Sequence, residues 1–363
     1  MKFKKVIAVA MSLLCLSSVN IFAEAEENKE EIEIVESGVL CSAIPYDVMY
    51  AYGEYVILSY PEVQYEVLSN GVLRVFSLDE DYNSIPDGGL IHRLLGDACD
   101  IYGMKWSDLC KECTKLVIDD SIKTIGIGSF CGNDLSFDEV EIHCYKGGTT
   151  YVDERAFQIS NINKLTVYGE EIYFDDFAFM YSDVCTVDLS NCNNVQIGES
   201  AFEGCRELKS VIPAKNRVYI GNRAFRDCES LPSKMILSEN TSEIRSGAFI
   251  GTNVTDVVML NSKIKIEPWY EYKANVTIYG YKGSTAEEYV KSYADDNCVF
   301  VALDNIKGDV QTDAEINTSD AVLLQNYLIK KEILNEHQQE VADINNDGKI
   351  NVFDLMVLKR NLE

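Results

Sequence analysis

The sequence predicts a chain of two unlike parts: a solenoid of short parallel strands with irregular turns, then a small all-α unit built on a doubled acidic loop. Three observations predict it. Aromatic anchors recur through the middle at spacings of 27, 22, 23, 23 and 24 residues. A 34-residue duplication closes the chain, and 59 acidic side chains face only 32 basic ones.

The chain opens with Lys2, Lys4 and Lys5, the apolar run Val6 to Leu16, then Ile21-Phe-Ala23 before Glu24. That order reads as a secretory signal over residues 1–23, too short in its apolar core to span a membrane. An exported, soluble protein with no membrane span is expected. Removing three lysines leaves 29 bases against 59 acids, a net charge of −30. So acidic a chain excludes nucleic acid as a partner and suits calcium, neutral polymers or a scaffold protein.

Of twelve cysteines, eleven remain once Cys15 leaves with the signal. An odd number at irregular spacing argues against a disulfide framework. Cys110 and Cys113 have metal-like spacing but no second pair at zinc-finger distance, so buried free thiols are favoured.

Residues 24–62 read as an acidic leader and a tyrosine-rich N-terminal segment, the tyrosines running from Cys41 on to Tyr65 (Tyr46, Tyr50, Tyr52, Tyr55, Tyr60, Tyr65). Its rings could stack on sugars, but packing is the favoured role for tyrosines in strands. Gln64 to Leu68, Ser69-Asn-Gly71 and Val72 to Phe76 read as a hairpin, with Asn-Gly supplying the positive-φ turn. A short helix is expected between Ile91 and Cys110.

The anchors are Phe130, Phe157, Phe179, Phe202, Phe225 and Phe249. A longer pattern surrounds them: Ile197-Gly-Glu-Ser-Ala-Phe-Glu-Gly-Cys205 returns as Ile220-Gly-Asn-Arg-Ala-Phe-Arg-Asp-Cys228, with looser copies ending at Phe157, Phe179 and Phe249. Alternating runs such as Leu116-Val-Ile118, Leu165-Thr-Val167, Val187-Asp-Leu189 and Val276-Thr-Ile278 mark one short strand per unit. A fixed period of roughly 20–29 residues with one strand per copy indicates a leucine-rich-repeat solenoid. No unit can bury its apolar side alone, so stacked units share one core. Ala lets each turn close, Phe fills the interior, and Cys205 and Cys228 are core positions, not nucleophiles.

In the tail, Asp309 to Asp320 aligns with Asp343 to Asp354. Each copy carries oxygen side chains at positions 1, 3, 5, 9 and 12, the layout of a calcium loop. The expected ligands are Asp309, Gln311, Asp313, Asn317 and Asp320 in the first loop. Asp343, Asn345, Asp347, Asn351 and Asp354 supply the second. Glu315 and Lys349 at position 7 would contribute only backbone carbonyls. Gly348 suits the positive φ of position 6, whereas Ala314 there costs about 1–2 kcal/mol. Two Ca2+ ions are expected, the first bound more weakly. After each loop an apolar run follows, and Leu324 with Leu328 matches Leu358 with Leu362 at helical spacing.

On these residues two resemblances rest. Val63 to Leu303 resembles the BspA-like leucine-rich repeats of bacterial surface proteins, with an inserted stretch near Asp134 to Thr150. That resemblance implies recognition of a protein or surface by an exposed face, without chemistry of its own. Residues 304–363 resemble a type I dockerin, an EF-hand-like module that plugs into cohesins of a cellulosome scaffoldin. The dockerin family implies cohesin contacts at loop positions 10 and 11 and on the helix after them. These fall on Thr318, Ser319, Gln325 and Asn326 in the first copy and Val352, Phe353, Lys359 and Arg360 in the second. The two sets differ in polarity, so one binding orientation is expected to win, through the second face.

Dockerins often ride on glycoside hydrolases, so a catalytic module is one expectation for the remaining chain. Only His92, His143 and His337 exist. There is no His-Glu-x-x-His, Gly-x-Ser-x-Gly or P-loop pattern. His143-Cys144 is suggestive only as a pair, since a Cys-His site needs an orienting third group. Once residues 1–23, 63–303 and 304–363 are assigned, too little chain is left for a hydrolase. The reading is therefore a non-catalytic protein, secreted by an anaerobic bacterium and attached to a cellulosome or cell surface in plant-polysaccharide degradation. Its repeat domain would bind an unidentified protein or glycan. A catalytic or enzyme-inhibiting component of the same complex is the alternative.

Overall fold

The computed structural model describes residues 32–40, 48–51, 54–57, 63–77, 84–85, 100–101, 104–105, 112–132, 136–268, 275–293 and 298–362. The signal, His92 and Cys110 lie outside them, as do Tyr46, Tyr52 and Tyr60.

The hairpin forms where the sequence puts it. Val63–Leu68 and Val72–Ser77 pair antiparallel with Val67 opposite Leu73. Only Gly71 takes the left-handed conformation, with φ 79°. Ile34–Leu40 adds antiparallel to the outside of this hairpin, so part of the expected acidic leader is an edge strand. Within the stretch expected to hold a helix, Asp100–Ile101 and Met104–Lys105 form a short antiparallel pair; the rest of it lies outside the described residues.

From Lys115 onward every described strand pairing is parallel. One ladder runs through Lys115–Ile118, Ser136–His143, the first half of Asn161–Phe174, the start of Thr186–Ile197, and Ser210–Ile212. A second runs through Thr124–Ile125, Thr149–Val152, the second halves of those two long strands, Val218–Ile220, Thr241–Ile244 and Lys265–Ile266. Each repeat thus gives two strand segments, which corrects the expectation of one. In the two longest strands the chain turns the corner without leaving extended structure, at Gly169 in the first.

The first ladder is interrupted. Lys234–Leu237, Asp256–Met259, Val276–Gly280 and Cys298–Ala302 form a separate four-stranded parallel sheet, while the second ladder continues unbroken past that point. Helix α1 (Thr285–Tyr293) packs beside the last of these strands.

The aromatic anchors make the spine of the core. Rings of Phe130, Phe157, Phe179, Phe202, Phe225 and Phe249 stack face to face, with centroids 5.0, 4.8, 5.1, 5.6 and 5.7 Å apart. Burying each ring contributes about 1.5–3 kcal/mol, and each aromatic pair about 0.5–1.5 more. The backbone follows the rings: the amides of Phe130, Phe157, Phe179, Phe202 and Phe225 donate to the carbonyls of Ala156, Ala178, Ala201, Ala224 and Ala248 in the next repeat, at 2.7–2.9 Å. The five alanines are fully buried.

Each turn holds its Phe between two left-handed residues. Two before it stand Gly128, Arg155, Phe177, Ser200, Arg223 and Gly247; two after it stand Gly132, Ile159, Tyr181, Gly204, Asp227 and Gly251. Three residues after the Phe comes a small donor. Ser160 Oγ donates to the Phe157 carbonyl at 2.7 Å and Thr252 Oγ1 to that of Phe249 at 2.8 Å. Cys205 and Cys228 each donate Sγ–H to the Phe carbonyl of the preceding repeat at 3.1 Å. These thiols are core donors, as the sequence implied, and burial pushes the Cys205 thiol up to about 12.

The tail folds as loop, α2 (Thr318–Leu328), α3 (Glu336–Ala342), loop, α4 (Val352–Asn361) around Val310, Leu324, Leu334, Leu355 and Leu358. Among the described residues no helix is long and apolar enough to cross a membrane.

Candidate functional site

The two loops share one hydrogen-bond plan. Asp309 accepts the amides of Asp313 (3.0 Å) and Ala314 (2.8 Å); Asp343 accepts those of Asp347 (3.0 Å) and Gly348 (2.9 Å). Asp313 and Asp347 accept from Glu315 and Lys349, both at 2.9 Å. Position 12 closes each loop: Asp320 accepts from Gln311 and Asn317, and Asp354 from Ile344, Asn345 and Asn351. Both position-12 carboxylates have no exposed surface.

Position 9 is also each helix's first cap. Asn317 Oδ1 accepts from Ser319, Asn351 Oδ1 accepts from Phe353, and Asp320 and Asp354 return the bond to the cap amide. A reciprocal pair of this kind satisfies two otherwise orphaned amides and fixes where the helix starts.

Positions 4 and 6 are left-handed in both copies: Thr312 (φ 59°) and Ala314 (65°), Asn346 (56°) and Gly348 (79°). Ala314 therefore adopts the conformation that the sequence flagged as costly. Burial, with Asp313 and Asp320 nearby, raises the Asp309 carboxyl to about 6 despite the two amides it accepts. Burial raises Asp320 as well. Clustered carboxylates and amide oxygens alternating along one loop are the donor chemistry a hard divalent cation takes. The residues fit calcium: Asp309, Gln311, Asp313, Asn317 and Asp320 would hold one ion with the Glu315 carbonyl. Asp343, Asn345, Asp347, Asn351, Asp354 and the Lys349 carbonyl would hold the other.

The helix starts that follow lie open. Thr318, Ser319 and Gln325 are exposed and Asn326 half-buried, beside a shallow cleft lined by Gln311, Val322 and Leu323. Val352, Phe353, Lys359 and Arg360 are exposed. With Met356 one turn on, Val352 and Phe353 form an apolar patch in which each side chain is 55–63 % exposed.

The other candidates do not assemble. His143 sits 3.8 Å from Glu141 and stacks on Tyr168. The neighbouring Cys144 side chain is buried against Gly169. Its thiol lies well above the ordinary range, because it donates to Cys192 and is buried. A nucleophile needs the opposite shift. Cys113 is buried and its thiol is likewise raised, by burial first.

One contact surface has no sequence signature. The tail packs on the end of the solenoid, where Tyr281 stacks on His337 (centroids 3.8 Å apart) and His337 Nδ1 meets Asp304 Oδ1 at 3.0 Å. Asp304, His337 and Glu340 bring one ligand-type atom each within 4.8 Å of one another. Lys234 reaches Glu315 at 3.1 Å, and Asn335 donates to Glu239 at 3.1 Å. Val258, Tyr281 and Leu303 form a small buried cluster of their own, joined by Ile306 and Ala314.

Residues 106–232 and 150–277 match the family described as BspA type leucine-rich repeat region, in six copies, and residues 307–363 match the type I dockerin domain. Among solved structures, the chain is similar to a leucine-rich repeat protein from Eubacterium ventriosum ATCC 27560. Identity is 12 %, the TM-score is 0.33, and the match covers 61 % of this chain and 64 % of that one, slightly under two thirds of its length. No curated protein matches the chain. Both matched families are binding modules; a type I dockerin binds calcium and takes a cohesin as partner. The chain carries a BspA-type leucine-rich-repeat region followed by a type I dockerin domain.

Proposed function

We propose that this is a secreted, non-catalytic recognition protein. Residues 1–23 direct export, and 24–62 form a leader and N-terminal segment. Residues 63–303 present the recognition surface, and 304–363 fasten it to a cohesin of an extracellular scaffold in plant-polysaccharide degradation. Two calcium ions hold the dockerin loops, on the ligands named above. The observation that carries this reading is the shared bonding plan of the two loops, each delivering an open helix start to the surface. Calcium there is structural: it sets the loop that aims the helix.

The second face carries the main cohesin contact. Val352, Phe353 and Met356 offer an apolar anchor flanked by Lys359 and Arg360, whereas Thr318 and Ser319 offer only hydroxyls. Buried apolar anchors dominate interface energetics. Calorimetry against a panel of type I cohesins tests this. Val352→Asp with Phe353→Asp should weaken binding at least a hundredfold, and Thr318→Asp with Ser319→Asp less than tenfold. Equal losses would refute the asymmetry, and no calcium-dependent cohesin binding by the unaltered chain would refute the attachment reading.

A further inference from the structure

The two loops bond alike internally but differ in what lies outside them. At position 6 of the second loop, a Cβ on Gly348 would meet nothing within 4 Å. At the same position of the first loop, the methyl of Ala314 packs into the cluster of Val258, Tyr281 and Leu303. Lys349 at position 7 is exposed and pairs with no acid among the described residues, while Glu315 pairs with Lys234 from the solenoid. Asn346 at position 4 is exposed, whereas Thr312 is buried.

We propose that the first loop is the docking surface for the C-terminal end of the solenoid, so that calcium in that loop and closure of the solenoid–dockerin junction stabilise each other. Position 6 lies between ligand positions 5 and 7, and position 7 itself offers its carbonyl to the ion. An ion drawing in those ligands therefore fixes the two residues that touch the solenoid, Ala314 and Glu315. The converse also holds: with Tyr281 seated, Ala314 is already held left-handed, and the ion no longer has to impose that conformation. Coupling of this kind is reciprocal by thermodynamic necessity. It also explains why the first loop departs from glycine at position 6. A glycine there would ease the turn but remove the methyl that the solenoid covers. The partner is the surface made by Lys234, Val258, Tyr281 and the linker through Leu303 and Ile306.

This inference rests on calcium entering the first loop but not on any cohesin, so its failure would leave the attachment reading standing. The test is calcium titration of the full chain by calorimetry, with Asp313→Asn and Asp347→Asn identifying which step belongs to which loop. Tyr281→Ala should weaken the first-loop step by about fivefold to tenfold and leave the second unchanged. Hydrogen exchange gives the reciprocal reading, since the Lys282 amide donates to Asp304 at 2.6 Å inside the junction. Calcium should slow exchange over residues 279–284 at least tenfold. Ala314→Gly, which alters only the loop side and cannot unfold the repeat, should abolish that protection while its first-loop step persists. A single calcium step, equal weakening of both steps by Tyr281→Ala, no weakening at all, or calcium-independent exchange over 279–284 would each overturn the proposal.

Discussion

Gln325 and Lys359 occupy the same place in the two dockerin copies, 34 residues apart, and they touch: Lys359 Nζ donates to Gln325 Oε1 at 3.2 Å. The 34-residue duplication places Thr318-Ser319 in the first copy where Val352-Phe353 stands in the second, so the tail offers a cohesin two faces of unlike polarity. Making the first face match the second, with Thr318→Val and Ser319→Phe, should let a cohesin bind in two orientations. Distance measurements between spin labels on the two proteins should change from one population to two.

Phe202 is stacked on both sides, by Phe179 and Phe225. Replacing it with alanine should cost about 3–5 kcal/mol. Because each repeat touches mainly its neighbours, the loss should fall first on the units of Phe179, Phe202 and Phe225. Chemical denaturation should show a lower midpoint for the solenoid, and second-loop calcium affinity should stay within a factor of two.

Ile159 is β-branched, 46 % exposed, and held at φ 59°. Ile159→Gly removes left-handed strain of about 1–2 kcal/mol and returns part of it through the freer unfolded chain. A net gain of about 0.5–1 kcal/mol is expected from the urea midpoint. Gly204 fills the same turn position two units on, but its added Cβ would lie 2.2 Å from the Tyr181 ring. Gly204→Ala should therefore destabilise, by about 1–3 kcal/mol.

Glu141 ties the acid limb of stability to the outer face of the first ladder. Its carboxyl is held down at about 2 by His143 and then Lys115, against the upward pull of burial. The Lys115 contact, at 2.7 Å, is the one of hydrogen-bond length. A carboxyl lowered on folding contributes stability that is complete above its unfolded value near 4.3 and is lost as pH falls through its folded one. Glu141→Gln should cost about 1–2 kcal/mol at pH 7 and nothing near pH 2. Denaturation midpoints measured from pH 6 to pH 2 should converge with those of the unaltered chain.

Removing calcium with EDTA should unfold α2 and α4 first, because their starts are fixed by loop ligands. Circular dichroism should lose helical signal while the solenoid's strand signal persists. Unchanged helicity would contradict this.

Much of this was legible in the residues, and what was not has a physical reason. The Phe period reports the core directly, because every anchor faces inward at the same turn. The second ladder was missed because its segments are as short as Val218–Ile220 and Lys265–Ile266, too short for alternation to register. The paired left-handed turns were half hidden: glycine marks Gly204 and Gly251, but Arg223 and Tyr181 adopt the same geometry without the signature. In the tail the ligand spacing was plain, since chemistry fixes it residue by residue. The junction was not, because Tyr281 and Ala314 are near neighbours only after the chain has folded.

The interruption of the first ladder gives this protein a mechanical character. Between Ser210–Ile212 and Lys234–Leu237 one side of the solenoid is unstitched, while Val218–Ile220 and Thr241–Ile244 remain bonded on the other. That arrangement is a book spine. Tension applied through an anchored tail would open the loose side before it stretched the bound one, turning the forward repeats like a page about a fixed edge.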